Sequence, residues 1–416
     1  MAKKSEGMLS PYRVLDLTGE RGLLCGKILG DLGADVIKVE RPGGDAARSI
    51  GPFYHDEPDP EKSLFWFALN TSKRGITINI ETADGQEIFK RLVKSADFVI
   101  ESFQPGYMDK LGLGYKDLEK INPGVILVSI TPFGQTGPYK DYKTADIVAW
   151  ATGGNMAPWG ESDRPPLHFS HHSQAYLHAG ADGATGALTA LYHRYATGEG
   201  QQVDVSIQES VVHCLEHITS NWDFRQAYAK RGEARNQNVG HETILIWPCK
   251  DGWVSWSHGG NSVLAPSLPL IKWMELEGFT NDFLKGFDWN RPDFVRISQE
   301  EMSKIDEPTA RFFMAHTKAE LLEGAVKYSV MMYPVATTDD MLENRQLKAR
   351  NFWVELEHPE LGVSLTYPGA FAKTTEIPPG LTRRAPLIGE HNQEIFEQEL
   401  GISREKLIIL KQAGVI

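Results

Sequence analysis

Short apolar runs alternate with helical patterns through the first half of the chain. Residues 13–18 (RVLDLT) are rich in leucine and valine and stop at Gly19-Glu20-Arg21-Gly22. LLCGKILGDLG follows with Leu24, Ile28, Leu29 and Leu32 on one face, then ADVIKVE, which ends at Arg41-Pro42-Gly43-Gly44-Asp45. Strand, helix and strand within about thirty residues predict a βαβ unit with a parallel pair and a right-handed crossover. The pattern recurs: a strand at 75–80 (GITINI), a helix over 82–95, strands at 96–100 (ADFVI) and 125–131 (VILVSIT), and a further strand at VDVSI. Open α/β sheets bind ligands at the carboxyl ends of their strands. The expected binding edge is therefore made by Gly19–Gly22, Arg41–Asp45, Glu101–Gly106 and Thr131–Lys143. The glycines after the first strand do not spell G-x-G-x-x-G, which weakens a nicotinamide reading.

The texture changes near residue 224. ILIWPCKDGWVSWSHGG alternates around Asp251-Gly252, a hairpin signal, and 262–330 reads as mostly helical. Residues 332–350 read as strand, cap and helix, and FWVELEHPELGVSLTYPGAF as another hairpin; a proline-rich arm, 377–386, leads to closing helices. The expected organisation is a large domain begun by 1–224, a smaller α+β domain over 225–330, and a return to the large domain over 331–416.

Within the first segment lies PPLHFSHHSQAYLHAGADGATGALTALYHR, residues 165–194, read as an extended approach, a polar turn rich in histidine and then a helix packed with Ala and Gly. Glycine costs a helix about 1 kcal/mol relative to alanine, and is tolerated where a backbone or ligand must approach closely. The helix entrance, Gln174 to His178, offers free N–H groups that favour negative charge, so a reactive group is expected there.

Composition narrows the classes. Apolar content is 41% and charged content 24%, as in globular proteins. The formal charge of −12, without a basic block, argues against nucleic acid as a partner. No apolar run reaches the ~20 residues of a membrane span, and MAKKSEGMLSPYR lacks the apolar core of a secretory signal. Cys25, Cys214 and Cys249 are widely spaced and form no CxxC, which fits a reducing cytoplasm.

Six blocks together resemble the family III CoA-transferases, the family of formyl-CoA and crotonobetainyl-CoA transferases and of α-methylacyl-CoA racemases. They are VLDLT…LGDLGADVIKVERPGGDAAR (14–48), LNTSKRGITINI (69–80), ADFVIESFQPGYMDKLGL (96–113), SITPFGQTGPYKD (129–141), ALYHRYATGEGQQVDVSIQES (190–210) and APLIGEHNQEIF (385–396). The resemblance implies an α/β fold: a Rossmann-like large domain plus a smaller α+β domain, with two chains threaded through each other as an interlocked, ring-like dimer. It implies no metal and no resident cofactor, with CoA and acyl-CoA as substrates. It also implies CoA contacts at Arg41, Lys73, Arg74, Ser102, Phe103, Lys110 and Lys143, a local basic set suited to a polyanion.

One position departs from that pattern. The family's transferases work through an aspartate, expected four residues before Gly180, and residue 176 is tyrosine. A phenol of pKa about 10 attacking a thioester would give an unactivated ester with no route to an enzyme-bound thioester. No catalytic residue is therefore assigned, and Tyr176 and His172 are expected to line the substrate pocket. Asp182 lies six residues on, about 9 Å along a helix, and Asp163 belongs to a loop. A racemase pair is not supported either, because Ala145 stands where its histidine should precede Asp146. His168, His171, His172 and His178 lack further ligands of metal-site spacing and are read as hydrogen-bonded histidines or anion contacts. The glycine run that folds over the aspartate in the family's transferases is missing from GEARNQNVGHETI.

Three readings follow. The first is a subunit of a heteromeric CoA-transferase whose paralogous partner supplies the aspartate, with two-subunit transferases for aromatic dicarboxylates as the nearest pattern. On that reading the donor is an acyl-CoA such as succinyl-CoA and the acceptor an aromatic or dicarboxylic acid. The second is a homomeric acyl-CoA enzyme with altered chemistry, an isomerase or hydrolase. The third is a non-catalytic CoA-binding protein.

Overall fold

The computed structural model describes residues 7–160, 163–168, 173–215, 222–223, 226, 235–237, 241–259 and 266–416. The chain forms two compact units. The first comprises Met1–Asn155, Ser170–His217 and Gln346–Ile416; the second comprises Met156–Phe169 and Ile218–Arg345. The sequence places the segment limits at 224/225 and 330/331; the compact units part at 217/218 and 345/346, and residues 156–169, assigned from sequence to the large domain, group with the second unit.

The first unit is built on a six-stranded sheet: β1 (Arg13–Asp16), β2 (Asp35–Glu40), β3 (Lys73–Thr77), β4 (Phe98–Glu101), β5 (Ile126–Thr131) and β6 (Gln202–Ser206). All neighbours are parallel and the order is β3-β2-β1-β4-β5-β6. The chain winds outward from β1 through β2 and β3, then reverses to β4, β5 and β6. The carboxyl ends of β1 and β4 thus flank the reversal, where crossovers leave on opposite faces and a crevice opens.

Helices α1 (Leu23–Asp31), α2 (Leu64–Leu69), α3 (Ala83–Val93), α4 (Tyr107–Lys110), α5 (Tyr115–Ile121), α6 (Asp146–Thr152), α7 (Gln174–Thr197) and α8 (Ile207–His213) complete this unit's first two segments. Period-two alternation turns Leu15, Leu17, Ile37 and Val39 to one face, against Ile88, Phe89, Leu92 and Val93 of α3 and against Ile395, Phe396 and Leu410 of the returning C-terminal segment. Helix α3 forms there because Thr82 caps it, its Oγ1 accepting the Gly85 N–H at 3.1 Å, and because its apolar residues fall at i, i+1, i+4 and i+5. On the opposite face α1 packs against α7, and α7 against β5 and β6. The small residues of α7 serve this packing. A Cβ added at Gly180 would sit 2.9 Å from Leu24 Cβ, and one at Gly186 2.7 Å from Val203 Cγ1. It is therefore the chain itself that approaches the helix closely at these positions.

That face also holds a charged core. Asp16, Lys38 and Lys73 are fully buried. Lys73 Nζ donates to Asp16 Oδ2 (2.8 Å), Leu23 O (2.8 Å) and Asn70 Oδ1 (3.0 Å). Lys38 Nζ donates to the carbonyls of Asp16 and Thr18. A buried carboxylate persists only with such compensation, and Lys73 and Lys38 hold Asp16 below the usual carboxylate range against the opposing effect of burial.

The second unit carries a three-stranded antiparallel sheet of β7 (Ile246–Cys249), β8 (Gly252–Ser255) and β9 (Tyr333–Pro334), ordered β9-β8-β7, in which β7 and β8 form the expected hairpin. Cys249 pairs with Gly252, so Lys250-Asp251 make the turn, one residue earlier than the Asp-Gly signal places it. The Asp251 carboxylate is instead used to accept the Lys318 N–H at 2.7 Å. Trp247, Trp273, Met302, Phe312 and Phe313 fill this unit's core. No helix among the described residues is long and apolar enough to cross a membrane.

Candidate active site and nucleotide cleft

The sheet reversal is stitched shut at its base. After β1 the Gly19 N–H donates to Ser102 Oγ, just past β4, at 2.9 Å. Beside this stitch is a cleft of about 500 Å³ whose lining includes Leu17, Arg41, Ile78–Glu81, Phe103 and Tyr107. Phe103 and Tyr107 stack at a tilt with ring centroids 4.7 Å apart. Tyr107 donates its hydroxyl to Glu81 Oε1 at 2.8 Å, and partial burial with that carboxylate pushes the phenol up to about 12. The Phe103 N–H donates to Glu101 Oε2 at 2.7 Å. Burial pushes the Glu101 carboxyl up to about 7, against the pull of the Ser129 hydroxyl and the Phe103 N–H; Asp109 and Asp204 add to the rise.

The sequence-expected contacts divide. Arg41 and Phe103 meet at this cleft and Ser102 lies directly behind it. Arg41 is exposed, its Nε donating to Gly44 O at 3.3 Å. Lys110 ends α4, one turn past Tyr107, and Lys143 lies in the loop after β5; both are exposed. Lys73 and Arg74 do not join them. The three donors of Lys73 are spent on Asp16, Leu23 and Asn70, and Arg74 is spread over Asp35, Glu394 and Glu399 at 2.6–2.9 Å. Sequence reading passed over Ile78–Glu81 and Tyr107. Ile78 and Ile80 continue the strand's alternation, but the β3 ladder stops at Thr77 and a turn begins, with Thr82 N–H donating to Asn79 O. Ending the strand at the Asn79-Glu81-Thr82 polar cluster would have placed these residues on the binding edge.

The entrance to α7 is built differently. The Ala175 N–H, in its first turn, donates to Asp146 Oδ1 at 2.8 Å, and Ser173 Oγ donates to Glu20 Oε1 at 2.8 Å. An anion-binding helix terminus is thus filled by the chain's own carboxylate. Tyr176 is buried at 4% exposure. Burial pushes its phenol up, while a hydrogen bond and the charge of Arg21 pull the other way. Arg21 also reaches Thr144 O at 3.4 Å. The Tyr176 phenol itself is therefore no ready nucleophile. Of the histidines, His178 contacts Cys214 Sγ at 3.6 Å and the edge of Trp150; His171 and His172 lie outside the described residues. Among the described residues no cluster of three metal-ligating side chains occurs.

An open, doubly wound α/β sheet with a nucleotide-sized cleft at its reversal defines the class of molecule. The chain belongs to CoA-transferase family III, whose sequence model matches residues 9–392. It is 36% identical over 93% of its length, and 93% of the relative's, to a protein named succinyl-CoA:(R)-benzylsuccinate CoA-transferase subunit BbsE from Thauera aromatica. Full-length similarity at 33% identity links it to a formyl-CoA:oxalate CoA-transferase of Streptomyces avermitilis, with all of both chains covered. Among solved structures, a CaiB/BaiF family protein from Brucella suis superposes with a TM-score of 0.80 at 28% identity, covering 94% of this chain and 99% of that one.

Proposed function

We propose that this chain is the non-nucleophilic subunit of a heteromeric CoA-transferase, binding CoA while a paralogous partner supplies the catalytic aspartate. The observation that carries the reading is Tyr176, a buried phenol at the family's aspartate position with its ionisation disfavoured. In the reaction, a carboxylate attacks the donor thioester, CoA thiolate leaves, and a mixed anhydride forms. The thiolate then attacks the enzyme's acyl carbon, leaving an aspartyl thioester and releasing the donor acid; the acceptor acid reverses both steps. Each step needs a carboxylate whose acyl derivative stays activated. A tyrosyl ester would end the cycle.

The retained role is holding the nucleotide. Arg41 and the Ser102-Phe103 turn would receive the diphosphate and adenine ends of CoA, with Lys110 and Lys143 supplying outer positive charge, and Lys73 and Arg74 acting as framework behind the cleft. The name of the Thauera relative, a subunit acting on succinyl-CoA and an aromatic dicarboxylate, supports succinyl-CoA as donor and an acceptor of that class. The interlocked dimer belongs to the same proposal.

The test is reconstitution. The purified chain is expected to bind CoA and to transfer none, and co-expression with a paralogue bearing aspartate at the position of Tyr176 is expected to restore succinyl-CoA-dependent thioester exchange. Transfer by the chain alone at an ordinary enzymatic rate would overturn it.

A further inference from the structure

Glu101 is a buried acid that no step of the proposed transfer uses, yet it stands one residue from the cleft wall. It closes β4 at 4% exposure and accepts the Phe103 N–H at 2.7 Å. Between the two, Ser102 is tied to β1 through the Gly19 N–H. Phe103 in turn stacks with Tyr107, and Tyr107 bonds Glu81, so this carboxylate–amide bond fixes the backbone at the start of an aromatic wall that also packs on the core. We propose that Glu101 is the positioning residue of the nucleotide cleft, fixing the Phe103 wall through the Phe103 N–H, so that its protonation weakens the hold on acyl-CoA. The inference rests on the reading of this cleft as the CoA site.

The physical case is the difference between a charged and a neutral acceptor. An ionised carboxylate holds an N–H about twice as strongly as a neutral group does. Glu101 is buried at 4% exposure, so water has little access to its carboxyl when the bond loosens. The charged groups facing Glu101 are Asp109 on α4 and Asp204 on β6, both of which favour its protonated form, while the Ser129 hydroxyl on β5 favours the ionised form. Lys38 and Lys73, on nearby strands, are committed to Asp16 and the carbonyls around it. With the carboxyl raised to about 7, the switch falls within the ordinary working range of pH. Repulsion between ionised Glu101 and the CoA diphosphate would act in the opposite direction, so the sign of the pH profile separates the two effects.

The experiment is calorimetric titration of the full chain with 3′-dephospho-CoA, whose diphosphate keeps its charge across the range tested. Binding at about pH 8 should be about five-fold tighter than at about pH 6. Glu101→Gln should give a flat profile at the weaker affinity. Ser129→Ala removes a hydroxyl that favours the ionised form and accepts from Gln202 Nε2 at 3.3 Å, and should keep the profile while moving its midpoint to higher pH. An unchanged profile in Glu101→Gln, a midpoint unmoved by Ser129→Ala, or tighter binding at low pH overturns the inference and leaves the CoA assignment intact. Absence of binding at every pH overturns both.

Discussion

Two regions of the large unit sit at the same sheet edge and are finished in opposite ways. At the β1–β4 reversal, Arg41, Phe103 and Tyr107 border an open cleft, with an exposed guanidinium and an aromatic wall available to a ligand. At the start of α7, the chain closes on itself. Asp146 accepts the Ala175 N–H, Glu20 accepts the Ser173 hydroxyl, and the Arg21 guanidinium donates to the Tyr176 phenol oxygen. On the proposed function, the contrast means that binding and chemistry are separable in this fold. A cleft for a nucleotide needs shape and spare donors, whereas a nucleophile's seat needs one ionised group left unsatisfied. On that proposal the chain keeps the first and has filled the second.

That contrast can be broken at three points. Lys73 belongs with the closed parts of the molecule, so Lys73→Met should leave Asp16 buried without its main partner and cost about 3–5 kcal/mol, read as a drop in the urea midpoint. Folded Lys73→Met protein that kept wild-type stability and lost only CoA affinity would return Lys73 to the ligand. Arg41 belongs with the open cleft. Arg41→Ala should weaken CoA binding about ten-fold, with a smaller salt dependence, and leave the unfolding midpoint within about 0.5 kcal/mol of wild type. The smallest effect is expected from Tyr176→Phe, which removes one hydroxyl and keeps the ring. Stability should change by about 1 kcal/mol or less, and transfer by the reconstituted complex by less than about three-fold. Abolished transfer in Tyr176→Phe would make the phenol a catalytic group.

Much of the frame was legible because local chemistry specified it. RVLDLT, ADVIKVE and VILVSIT became β1, β2 and β5 within a residue or two, and the Ala/Gly helix became α7. The sheet edge that carries Gly19, Arg41 and Ser102 followed from where those runs stop. What escaped was long-range. Nothing near Lys73 reveals that Asp16, 57 residues earlier, takes its charge. Nothing near Arg74 reveals the glutamates more than 300 residues later that share it. Asp146 was legible only as an acid without a preceding histidine, because its use as a cap for α7 depends on how two helix N-termini, 29 residues apart in the chain, meet. A basic residue near a turn looks the same in sequence whether its partner is a phosphate or a carboxylate of the chain.

The outermost strand, β3, has a consequence for how the molecule is made. Its free edge is covered by the returning segment: the Ser72 N–H donates to Arg383 O, the Gly75 N–H to His391 Nδ1, and the Thr77 N–H to Asn392 Oδ1. Those partners are up to 316 residues downstream. At synthesis rates of about 5–20 residues per second, the ribosome needs on the order of tens of seconds to deliver them. For that interval the nascent sheet presents an uncovered edge, the feature that most invites pairing with another chain. A chain stopped short of residue 383 would carry that edge permanently, making late truncation more damaging than its small loss of mass suggests.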